Sequence, residues 1–145
     1  VLPMRIDDAL ADALGGQRPL WVNTQFNHPA ELTPDALTAC ERLVRRGIPV
    51  SNQAVLLRGV NDDVDTLEEL CNTLQQNMIR PYYVFQCDPV RGTEHFHTDL
   101  SRSVALDRQL RRRLGGLSMP TFVADLPGEG GKTPLVELTG RNEQP

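Results

Sequence analysis

Lys132 closes a glycine-rich stretch, DLPGEGGKTP over residues 125–134, and a lysine in that setting can be used in three ways. The first is phosphate binding. Gly131, Lys132 and Thr133 match the end of the GxxxxGK-S/T pattern, whose backbone N–H groups and following helix surround phosphates. Leu126 stands where that pattern begins with glycine, and the remaining TPLVELTGRNEQP, interrupted by Pro134 and Gly140, is too short to supply the helix and the rest of a nucleotide hydrolase. The second use is nucleophilic. An ordinary lysine has a pKa of about 10.4 and reacts poorly at neutral pH, but a desolvated amine can form an imine with a carbonyl cofactor. Glycines, having no side chains, would let the backbone close around a flat cofactor. The third is a plain surface lysine on a tail, which composition alone favours.

Asp88 and Asp125 each fall where an apolar run ends, in YYVFQCD and TFVAD. Two carboxylates at one opening can grip a substrate ammonium, act as an acid/base pair, or bind a metal; the residue types leave all three open. Amide side chains collect similarly, with Asn23, Gln25 and Asn27, beside His28, at or past the end of one apolar run and Gln53 within the next. His95 and His97 make an HxH without a third placed ligand, so surface loop histidines are expected and no metal is assigned. Cys40, Cys71 and Cys87 are odd in number, far apart and without CxxC spacing. They read as small buried hydrophobes rather than a disulfide framework.

These side chains can cooperate only if the fold gathers them, and the patterning shows how. RIDDALADALGG reads as a helix with Ile6, Leu10, Ala13 and Leu14 on one face, followed by the strand LWVNTQF. Thr33 is a good N-cap before Pro34, and Leu37, Cys40, Leu43 and Val44 form the next helical stripe, stopped by Gly47. The strand IPVSNQAVLL follows. A helix from about Asp63 carries Leu67, Leu70, Cys71, Leu74 and Met78, and Pro81 is expected to open the strand PYYVFQC. After the loop DPVRGTEHFHTD comes a helix through Val104, Leu110 and Leu114, then the strand MPTFVAD. Strands separated by helices at a period of roughly thirty residues predict right-handed crossovers and a parallel sheet, open or closed into a barrel. Sites in such folds form at the carboxyl edge of the strands, where the polar residues named above lie.

With 145 residues, 39% hydrophobic and 23% charged, the chain can build one globular core. Its net charge of -4 argues against nucleic-acid or anionic-membrane partners. The cluster Arg111, Arg112 and Arg113 reads as the basic end of a helix. VLPMRIDDAL has neither the shape of a signal peptide nor a membrane span, so a reducing cytoplasm is expected, and the opening reads like the middle of a longer protein.

WVNTQFNHPAELT, ACERLVRRGIPVSNQAVLLRGVND, RPYYVFQCD and PTFVADLPGEGGKTP, in order over nearly the whole chain, resemble the carboxy-terminal half of the lysine 2,3-aminomutase family. Those are radical S-adenosylmethionine enzymes that also use pyridoxal phosphate. The resemblance implies an α/β fold of parallel βα repeats forming part of a TIM-like barrel over residues 1–125, then an irregular glycine-rich cofactor-lysine loop and tail over 126–145. It makes Lys132 the residue that holds pyridoxal phosphate, Asp88 and Asp125 the pair that binds the substrate's side-chain ammonium, and Gln53 a neighbour of the adenosyl group of S-adenosylmethionine. Gln25 stands where well-known members have a histidine near that group. The implied reaction moves an amino group between C2 and C3 of lysine after a 5′-deoxyadenosyl radical removes a hydrogen.

The family's CxxxCxxC, which holds a 4Fe–4S cluster, is absent. It is expected in a missing amino-terminal half, with the arginine for the substrate carboxylate, so this chain alone would be inactive and the complete protein a homo-oligomer. A relative supplying β-lysine for elongation factor P modification is disfavoured by the approach ADLPGEGGK, and a glutamate-specific relative by the two carboxylates. A non-catalytic truncated barrel piece is the alternative from another class.

Overall fold

The computed structural model describes residues 2–126 and 131–141. Its helices are α1 (Asp8–Gly15), α2 (Pro34–Arg45), α3 (Val64–Gln76), α4 (Leu100–Leu110) and α5 (Leu135–Arg141), and its strands are β1 (Val22–Thr24), β2 (Val50–Leu56), β3 (Ile79–Gln86), β4 (Thr121–Leu126) and β5 (Gly131–Pro134). Three helices begin where a short polar side chain takes an N–H that the first turn leaves unpaired. Asp7 accepts from Leu10 N at 2.8 Å, Thr33 from Ala36 N at 3.3 Å, and Asp63 from Thr66 N at 2.9 Å. Gly47, at φ +72°, takes the left-handed conformation that turns the chain out of α2.

The strands lie in chain order, β1-β2-β3-β4-β5. The first four are parallel, and β5 pairs antiparallel with β4. Parallel neighbours joined by helical crossovers of one hand put the helices on one side of the sheet. On that side lies the core, in which Leu56, Leu67, Leu70, Leu74, Ile79 and Leu110 are all at most 1% exposed. The other side, the inner face, presents Asn23, Arg80, Tyr82 and Asp125 to solvent. This one-sided mixed α/β sheet is part of a TIM-barrel-like arrangement, as the sequence predicts.

Several details differ from expectation. Within the carboxy-terminal segment, the described residues 131–141 form β5 and α5, with Leu135 buried against the core. Pro134 precedes the first turn of α5, where no N–H is needed, so it does not prevent the helix. In α1 the buried residue is Ala11, while Leu10 is 38% exposed. Ala11 and Leu14 of that helix meet the core, and Asp8 and Asp12 pair with Arg46 at the surface. Met78 lies past the end of α3 at φ +59° and is 72% exposed, because the reversal of the chain takes it off the helical stripe. Pro81 sits inside β3 rather than opening it. It faces Asn52, and the register then slips, so that Gln53 pairs with Tyr83 and Tyr82 is the extra residue of a bulge. A proline lacks the ladder donor, and a bulge is one of the few places a central strand admits it. Among the described residues, no helix is long and apolar enough to cross a membrane.

Candidate functional site

The inner face at the carboxyl edge is assembled by register. Asp125 of β4 stands opposite Lys132 of β5, and Val123 opposite Pro134. Directly opposed residues of an antiparallel pair point to the same side. Lys132 Nζ accordingly lies 3.6 Å from Asp125 Oδ2 and 5.9 Å from the centre of the Phe85 ring. Phe85 is placed by its own register, beside Val55 on one flank and Val123 on the other. Lys132 and Asp125 are each about half exposed, at 50% and 49% of their side chains. An ion pair so open to water is worth little to stability, which leaves both groups available to a ligand.

Asp88 lies two residues beyond β3, exposed at the same edge. Its carbonyl accepts from Val90 N at 2.8 Å, while its carboxylate makes no ion pair among the described residues. The structure therefore unites Lys132 with Asp125 and leaves Asp88 without an ion pair among the described residues, at the carboxyl end of the adjoining strand. The charge at Asp88 is felt by Cys87, whose thiol is pushed up first by burial and then by that carboxylate.

Gln25 follows β1 and is exposed; Gln53 is half-buried in β2. Neither glutamine side chain has a hydrogen-bond partner among the described residues. Gln25 is flanked by Thr24 and Phe26, both buried toward the helices, and so faces the other way. What holds this segment was not legible in the sequence. Asn52, 2% exposed, accepts from Phe26 N at 2.7 Å and donates to Phe26 O at 3.0 Å, while Thr24 Oγ1 lies 2.9 Å from its Oδ1. Asn27 Oδ1 accepts from Val55 N at 2.8 Å, and Asn61 donates to the carbonyls of Asn27 and Val55. The available signal was a polar Ser-Asn-Gln triplet inside an otherwise apolar strand, IPVSNQAVLL.

Composition held a second missed signal. Of 15 lysines and arginines, Lys132 is the one lysine. An arginine would serve any surface charge, but its guanidinium stays protonated and forms no imine, whereas a lysine amine can. His95 is exposed and tilted against Phe96, and no group of three metal-binding side chains occurs among the described residues. All three cysteines are buried and unpaired, as expected. A cavity of about 320 Å³ lies against Trp21, Asn23, Ser51, Arg80 and Tyr82. These residues fall at the amino-terminal ends of the strands, away from Lys132.

No family model matches the chain. It is 48% identical over 136 residues to the L-lysine 2,3-aminomutases of Fusobacterium nucleatum and Clostridium subterminale, covering 94% of this chain and 32% and 33% of those proteins. It is 40% identical over 135 residues to the glutamate 2,3-aminomutase of Clostridioides difficile, covering 93% of this chain and 32% of that one. The fold resembles a radical SAM methyltransferase from Sphaerobacter thermophilus, with a TM-score of 0.63 and 21% identity over 84% of this chain and 39% of that one. The chain thus spans about a third of the length of the curated relatives it matches, rather than half, and it belongs to the lysine 2,3-aminomutase family.

Proposed function

We propose that this chain carries the cofactor-lysine and substrate-ammonium part of an isomerase that interconverts L-lysine and β-lysine by moving an amino group between adjacent carbons. The observation that carries the reading is the placement of the one lysine, Lys132, on the inner face and 3.6 Å from the Asp125 carboxylate.

The described residues suit pyridoxal phosphate. Lys132 offers a half-exposed primary amine on a face where Phe85 and Tyr83, 5.4 Å apart between ring centres and set edge to face, provide aromatic surface. When bound, this cofactor supplies a conjugated ring able to carry an amino group between neighbouring carbons. Lys132 would hold it covalently. Asp125 would accept the ammonium at the end of the substrate side chain, with Asp88 as the second carboxylate at that edge. Both attract a lysine side chain and repel a glutamate side chain, which favours lysine over glutamate as substrate. Gln25 and Gln53, whose amides are unengaged among the described residues, would face the adenosyl group of S-adenosylmethionine. The residues do not fit a 4Fe–4S cluster, since the three cysteines are buried and dispersed. Cluster chemistry would have to come from additional polypeptide.

Reduction with borohydride in the presence of pyridoxal phosphate, followed by peptide mapping, tests the reading. A stable adduct on Lys132, lost in Lys132→Arg, is expected. Absence of the adduct from the Lys132 peptide of the parent protein refutes the assignment; with no other lysine in the chain, the terminal amine is the competing site that the map must separate.

A further inference from the structure

We propose that Asn52 is a positioning residue that sets Gln25 beside Gln53 on the inner face, so that the two amides are oriented for an adenosyl group. This rests on the reading above that those glutamines meet that group. The backbone ladder between β1 and β2 ends at Thr24 and Asn52. One residue further the chain does not simply diverge. The Asn52 side chain replaces a strand, taking both the N–H and the carbonyl of Phe26 as a peptide group would. The Thr24 hydroxyl can also donate to it, sharing its single hydrogen between Asn52 Oδ1 at 2.9 Å and Ser51 O at 3.1 Å. Gln25 is thereby gripped through both of its neighbours, at a distance from β2 set by one asparagine side chain.

The opposite flank of β2 is disturbed at the same residue. Asn52 faces Pro81, which has no N–H to give, and the bulge at Tyr82 follows at once. Gln53 is the first residue after both irregularities, and bulges characteristically re-aim the side chains beside them. A buried asparagine is costly unless its amide is satisfied. Here both ends of the amide are engaged, and what they fix is the stretch of chain bearing Gln25. An apolar residue would fill this buried position without fixing that stretch.

The test is a double-mutant cycle on the holoenzyme, with S-adenosylhomocysteine as the unreactive probe and affinity read by calorimetry. Asn52→Asp keeps the size and the acceptor but turns an oxygen toward Phe26 O. It is expected to weaken binding about tenfold in the parent protein and less than about twofold when Gln25→Ala and Gln53→Ala are already present. An equal loss in both backgrounds overturns the positioning role and leaves the adenosyl reading standing. Unchanged affinity in the Gln25→Ala/Gln53→Ala protein overturns the adenosyl reading and this proposal with it. Should Asn52→Asp not fold, Thr24→Val removes only the hydroxyl behind Asn52. The same cycle then applies, with an expected loss of about threefold in the parent and the same two overturning outcomes.

Discussion

At the scale of single residues, the pair Lys132 and Asp125 separates function from stability. Because both side chains are half exposed, their attraction adds little to folding. In the proposed role, however, Asp125 makes a charge-assisted bond to a substrate ammonium, worth about 1.5 to 3 kcal/mol. Asp125→Asn should therefore raise the KM for lysine by about tenfold or more with little change in kcat and an unchanged melting temperature. Steady-state kinetics beside thermal unfolding checks both halves. The cysteines behave in the opposite sense. Burial pushes the Cys71 thiol up to about 12, so the thiolate is scarce at neutral pH. Alkylation of Cys71 is expected only on unfolding, which mass spectrometry across a denaturant series would show. Lys132, Asp88 and Asp125 could be picked out from sequence because each sits where an apolar run ends or a glycine run closes. Asn52 shows in the sequence only as part of a polar triplet in an apolar strand, since its importance lies in bonds to Phe26, 26 residues away.

At the scale of elements, local signals carried most of the information. The cap at Thr33, the start at Asp63 and the stripe of Leu67, Leu70, Cys71 and Leu74 set helix starts and faces, and the structure keeps them. What failed to show were features decided across the sheet. The slip at Tyr82 depends on which residue opposes Pro81, and β5 depends on the ladder offered by β4. Asp63 gives a test of the local part. Its carboxyl is held below the ordinary value of 3.8 by the N–H and hydroxyl of Thr66. A depressed carboxylate stabilises the folded state above its unfolded pKa, and that contribution is lost as pH falls through the lower folded value. Asp63→Ala should cost about 1 kcal/mol at neutral pH, with the difference from the parent shrinking below about pH 4. Urea denaturation at several pH values measures it.

At the scale of the whole molecule, the parallel order was legible because the alternation of strands and helices admits few topologies. The open side of the sheet has its own consequence. β1 ends the sheet with Trp21 just before it, 66% exposed and the one tryptophan of the chain. An unpaired edge recruits other strands. Emission from Trp21 should therefore move to shorter wavelength as the isolated chain is concentrated, in step with sedimentation evidence of association. The order β1-β2-β3-β4-β5 carries a further implication for how such a molecule is made. Every strand pairs with the one before it in the chain, across helical crossovers as long as that from Tyr83 to Thr121, so each is added at a standing edge and no earlier pairing has to be reopened. Within this stretch, the amine proposed to hold the cofactor, borne on β5, is set in place after β1 to β4 have been laid down.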